Sequence, residues 1–169
     1  MPMTVANTLV TPTTDSRALT DLQHVFDRHF RQYSPSDLPA LADVLTTHCD
    51  LPVIKGLLAA LLNAPAQLDD IASRSYWHGN GFLKIVLLDQ GYKLRLHIWF
   101  AGQTCEENIH DHRWSFSSLI LAGALTSEMW KDDQSGQQFQ EYEYHAATPQ
   151  RAPYKLDLGL KHLSLDNVQ

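Results

Sequence analysis

The chain has 169 residues, 44% of them hydrophobic, enough for one domain with a sizeable core and a small appendage. A formal net charge of -6, a pI near 5.8 and the lack of any Lys/Arg run argue against a nucleic-acid partner. No apolar stretch approaches the roughly 20 residues of a membrane span. The first residues lack the basic and apolar segments of a signal peptide. Cys49 and Cys105 alone make no disulfide framework, so a cytoplasmic protein is expected.

Residues 1–15 are rich in Thr and Pro without apolar period, and read as a loose lead-in. Thr14 or Asp15 is placed to cap a helix over 16–30, where Leu19, Leu22, Val25, Phe26 and Phe30 recur at helical spacing. His24 and His29 interleave with that stripe as solvated or packed side chains. Ser34-Pro35-Ser36-Asp37 ends this helix and caps a second, with Leu38, Leu41, Val44 and Leu45 apolar. Asp50-Leu51-Pro52 precedes a third apolar segment over 53–62, and Gln67–Ser73 adds a helical turn. Residues 1–73 are therefore expected to form a small helical region that packs on the remainder of the chain.

From Arg74 the pattern becomes that of strands and turns, and a second region, 74–169, is expected to be mainly β. Gly79-Asn80-Gly81 and Asp89-Gln90-Gly91 read as turns around strands at 82–88 and 92–100. Asn108-Ile109-His110-Asp111-His112 then leads into the apolar run Phe116–Gly123. As a strand, this segment puts both imidazoles on one face, because side chains i and i+2 point the same way. The pair could grip one metal ion if a neighbouring strand supplied a further ligand. Strands are also expected at 125–130, 139–145, 152–158 and 162–165, with 131–138 a polar loop. Several short strands between turns indicate a sandwich or barrel. No phosphate-binding loop, Cys-x-x-Cys pair or nucleophile elbow is present. Cys105 has no visible activating base and reads as a loop or buried thiol.

The second half resembles the cupin superfamily, and within it the cysteine dioxygenase family of thiol dioxygenases. The likeness rests on Gly79-Asn80-Gly81, Lys84, Asp89-Gln90-Gly91, Ile109-His110-Asp111-His112, Leu121-Ala122-Gly123-Ala124-Leu125 with Glu128, and the segment from Gly159 to Val168. It implies a jelly-roll barrel, preceded by helices, that holds Fe(II) (or another divalent metal) on three histidines. These would be His110, His112 and His162, which lies 50 positions after His112; His145 is the alternative third ligand. Three neutral imidazoles leave open positions on the ion, enough for a substrate thiol and O2 to meet there. The same ligands would also suit zinc chemistry, so they do not choose the reaction.

The resemblance further implies an anion anchor 26 residues before His110, where Lys84 replaces the family's arginine. Phe82 stands where the family often has tyrosine, and Trp99 would wall the substrate pocket. Ser117 stands where some members carry a cysteine crosslinked to tyrosine. The cupin glutamate expected four residues after the clamp is missing, with Phe116 and Ser117 in its place. The family's residues downstream of the third ligand would fall beyond Gln169. The barrel thus reads as incomplete at that end, as completed by another chain, or as lacking a dispensable strand.

The expected activity is oxidation of a small carboxylate-bearing thiol to a sulfinate by O2. Two alternatives stay open: a metal-dependent cupin oxygenase, isomerase or lyase on another small acid, and a non-catalytic small-molecule-binding cupin. The expected partners are a small-molecule substrate and O2, with no nucleic acid and no membrane; oligomeric state is left open.

Overall fold

Two aspartates start the second and third helices of the chain. Asp37 accepts from the Ala40 N–H at 3.1 Å, Asp50 accepts from the Val53 N–H at 2.8 Å, and a proline follows each within the first helical turn. The computed structural model describes residues 17–102, 108–112, 114–145 and 151–169. Its elements are α1 (Arg17–Gln32), α2 (Leu38–His48), α3 (Leu51–Leu61), α4 (Pro65–Arg74), β1 (Tyr76–Trp77), β2 (Leu83–Asp89), β3 (Lys93–Ile98), β4 (Glu128–His145) and β5 (Tyr154–Val168). The strands form two antiparallel sheets, β1-β2-β3 and β4-β5. The chain divides into two compact units, Met1–Ala122 and Gly123–Gln169. The helix-to-strand change expected at 73/74 falls inside the first unit, between α4 and β1.

In the first unit, α1 buries Leu19, Leu22, Phe26 and His29, while Val25 and Phe30 are half-buried and His24 is exposed. This stripe joins Ile54, Leu57 and Leu61 of α3, Ile71 of α4, and Leu87, Leu88 and Leu94 of the sheet in one core. Burying one such leucine contributes on the order of 2 kcal/mol. Cys49 lies in the same core as a free thiol, and burial, then Asp50, push its pKa up to about 11. Tyr92 links the sheet to α1, its hydroxyl donating to the Asp27 carboxylate at 2.8 Å.

The sheet's two faces are sorted by a bulge. Val86 pairs with Arg95 but Leu88 pairs with Leu94, so β2 carries one residue more than β3 between these pairs. Side chains alternate along a strand, so the extra residue moves Leu88 onto the core face with Ile85, Leu94 and Leu96. Arg74 closes the bulge from the end of α4, donating from Nε to the Val86 carbonyl at 2.8 Å and from Nη2 to the Leu87 carbonyl at 2.9 Å. Its other terminal nitrogen is ion-paired to Asp70. Ser75 accepts from the Val86 N–H at 3.0 Å and donates to the Ile71 carbonyl at 2.7 Å.

The second unit is a long hairpin. The strand, polar loop and strand expected over 125–145 are one strand, and the two late pieces are also one. The polar loop survives as an irregularity in which Asp132 and Gln137 both oppose Leu163. There Asp133 accepts from Ser135, and Gly136 lies so close to the Leu163 carbonyl that a Cβ would collide with it.

The expected helical region followed by antiparallel β-structure is present, while the described residues do not show a mainly-β jelly-roll. Helix and strand contents are about equal, and the described residues show no closed barrel. The expected strand through the His-x-His pair is not formed, because β1-β2-β3 is a sheet of its own and no strand pairs with the described part of 108–122. The lead-in, Cys105 and Arg113 lie outside the described residues. Among those described, no single helix is long and apolar enough to cross a membrane.

Arg74→Ala strands two carbonyls at the bulge and should cost about 2–3 kcal/mol, read as a lower urea midpoint at unchanged slope. Arg28→Ala, on an exposed position of α1, should stay within about 0.5 kcal/mol. Gly136→Ala should loosen the hairpin, seen as faster amide exchange around Leu163.

Candidate functional site

The register of the first sheet aligns Tyr76, Lys84 and His97 as cross-strand neighbours on the face away from the core. Phe82 and Trp99, each two residues along from a member of this row, share the face. The Lys84 ammonium donates to the Tyr76 hydroxyl at 3.2 Å and lies 5.2 Å from the Tyr76 ring centre and 5.8 Å from that of Phe82. Phe82 is buried, stacked on His78 at 4.6 Å and tilted against Trp99 at 4.8 Å. The turn that delivers these rings is fixed by backbone bonds between His78 and Phe82 and by Gly81 at φ 73°. Asn80 donates its N–H to His78 Nδ1 at 3.2 Å, which places the proton of a neutral ring on Nε2.

His97 completes the row. It packs against Phe82 at 4.6 Å and Trp99 at 5.9 Å while keeping an exposed edge. Its pKa is pushed down to about 4, first by desolvation among these rings, then by Lys84, Arg95 and His78. At neutral pH it is an uncharged imidazole beside an ammonium.

The His-x-His segment is tied to the same unit at several points. Arg95 lies 5.3 Å from the Trp114 ring centre, Ser117 Oγ donates to the Leu38 carbonyl at 2.9 Å, and Leu121 packs on the core. The rings of His110 and His112 stand 5.0 Å apart, nearly perpendicular, and His112 meets Phe116 edge-on at 4.8 Å. His110 Nδ1 lies 2.8 Å from the Asn108 carbonyl; donating to it leaves Nε2 with a free lone pair. The pKa of His112 is lowered by desolvation, then by His110 and Lys84, with Asp111 opposing.

The structure thus brings Phe82, Lys84 and Trp99 together on one face. Ser117 has its hydroxyl engaged at the start of α2. His162 and His145 belong to the other compact unit. His162 Nε2 stands 3.5 Å from the amide nitrogen of its cross-strand neighbour Gln138. His145 is stacked flat on Tyr154 at 4.4 Å; its Nε2 is 3.3 Å from the Glu143 carboxylate but is not aligned for a hydrogen bond. Among the described residues, no group of three or more His, Cys, Asp or Glu is arranged to hold a metal ion. Glu128 accepts from the Trp130 indole at 3.1 Å.

Neither protein-family models, curated proteins nor solved structures give a match.

Sequence reading missed Tyr76 and His97 as the cross-strand neighbours of Lys84. Both follow from one signal: a hairpin closed at Gly79-Asn80-Gly81 sets Tyr76 opposite Lys84, and the return strand sets His97 opposite Lys84.

The folded-state pKa of His97 lies below the ordinary value of about 6.5, so the unfolded chain takes up the proton first. The stability due to the neutral ring is complete above about pH 6.5 and is lost as pH falls toward 4. Urea titrations between these limits should show wild type losing more stability than His97→Gln.

Proposed function

We propose that this chain is a non-haem iron dioxygenase of cysteine dioxygenase type, oxidising a small carboxylate-bearing thiol to the sulfinate. The observation that carries the reading is the pair of imidazoles at His110 and His112, with Lys84, held by Tyr76, offering a cation in the same compact unit on a face walled by Phe82 and Trp99. The pair suits an ion, since two imidazoles bound cis to one metal at about 2.1 Å hold their ring centres about 4.5–5 Å apart. His110 and His112 stand at 5.0 Å.

In this reading His110 and His112 would hold the metal with His162, whose assignment rests on the resemblance and on its place 50 positions after His112. The jelly-roll completion of the second half is part of the same reading. Bound Fe(II) would supply the redox chemistry that joins O2 to sulfur, both oxygen atoms ending on the sulfinate as the thiol proton is released. Lys84 would fix the substrate carboxylate, and the rings of Phe82, His97 and Trp99 would exclude water from its other side.

A second reading is a binding module for small anions without catalysis. It is favoured by the absence of a three-ligand group among the described residues, because the Lys84 row needs no metal to form.

Anaerobically Fe(II)-loaded protein offered cysteine or 3-mercaptopropionate should consume O2 with matching sulfinate formation. His110→Ala should lower the rate about 100-fold or more. Lys84→Met should raise KM about tenfold or more, with a smaller change in kcat. Tightly bound iron with no uptake from any thiol would sink the dioxygenase reading and leave the binding module.

A further inference from the structure

The outward face of β1-β2-β3 is cationic in a chain whose net charge is -6. Lys84 and Arg95 project from it beside Tyr76, Phe82, His97 and Trp99, and none of these six carries a negative charge. The carboxylate that these strands add to the face, Asp89, lies at its far end and is ion-paired to Lys93. Arg95 already has Trp114 over its guanidinium. Lys84 gives one of its three N–H donors to Tyr76, so two remain to hold an anion.

Beside that ammonium stands uncovered aromatic surface. Tyr76 is 50% exposed and Trp99 43% exposed, and Trp99 and Phe82 meet at 40° with ring centres 4.8 Å apart. A two- or three-carbon acid on Lys84 would leave the Tyr76 and Trp99 rings in water. A planar body attached to the carboxylate would cover them, adding apolar burial and ring stacking to the charge contact.

We propose that this face binds a carboxylate bearing a planar aromatic body, with Lys84 taking the carboxylate and the exposed Trp99, backed by Phe82, taking the ring. Tyr76 is the positioning residue, holding the ammonium between two aromatic surfaces. The inference rests on the reading of Lys84 as the substrate's carboxylate anchor and narrows that substrate to aryl-bearing acids, but it does not depend on iron.

The test is calorimetric titration of the metal-free full chain with 3-phenylpropionate, propionate and 3-phenylpropanamide. The first should bind at least about tenfold more tightly than either of the others, since one lacks the ring and the other the charge. Lys84→Gln should weaken 3-phenylpropionate about tenfold, and Tyr76→Phe severalfold, with thermal unfolding checked for both. Trp99→Leu, at an exposed position, should erase most of the preference over propionate. Equal binding of propionate, equal binding of the amide, or no binding of 3-phenylpropionate overturns the proposal. The two readings fail separately. Binding of 3-phenylpropionate without thiol-dependent oxygen uptake removes the dioxygenase and keeps the site. Uptake with small thiols alongside equal binding of the two acids keeps the dioxygenase and removes the aryl preference.

Discussion

The grip of Arg74 and Ser75 on the β2 bulge is the constraint on which the first unit depends. A seven-residue strand has to place leucines in the core and a lysine and a phenylalanine outside it, and strict alternation cannot do both from Phe82 to Leu88. One extra residue at Leu87 resolves the conflict: Leu88 turns inward while Phe82 and Lys84 stay out. A bulge leaves carbonyls without ladder partners, and buried carbonyls are costly unless met. The guanidinium meets two of them at once with a planar fork, which a lysine could not do. A helix end therefore decides which face of the sheet is core and which is available for chemistry.

The consequence for that face is electrostatic. His97 packs among rings and basic groups, and a proton on it would add positive charge where desolvation already penalises it. Remaining neutral, it offers Lys84 a polar neighbour that does not compensate its charge. A carboxylate in that position would have closed the lysine in an ion pair, as Asp89 does with Lys93. Tyr76 fixes the ammonium through a neutral hydroxyl, which orients the charge and leaves it available.

The parts of the chain legible from sequence were those decided locally. Asp37 and Asp50 announced α2 and α3, and the spacing of Leu19, Leu22 and Phe26 announced α1, because caps and helical periodicity act within a few residues. The strands Leu83–Asp89 and Lys93–Ile98 were legible for the same reason, bounded by turns. What depended on pairing between distant residues was not. The bulge at Leu87, the fusion of 128–145 into one strand across the Asp133–Gly136 irregularity, and the unpaired state of the His-x-His segment each depend on what lies opposite. Lys84, Phe82 and Trp99 were reached from sequence as separate residues. Their grouping with Tyr76 and His97 required the register.

The clamp's setting outside a strand changes how a metal would be held in the proposed reading. On a strand, the pleat would fix both imidazoles on one face; here their proximity comes from local backbone, with His110 oriented by the Asn108 carbonyl. A rigid sheet thus carries the anion anchor, while a less regular segment carries two of the proposed metal ligands. Lys84 also acts on both ligands it would serve. In the proposed reading its charge would oppose a cation held by the histidine pair until an anion on the ammonium removed the repulsion. By thermodynamic reciprocity, whatever free energy the anion returns to the metal, the metal returns to the anion. Metal and substrate would then bind as a pair more tightly than either alone, which suits a centre that should activate oxygen only when a substrate is present to receive it.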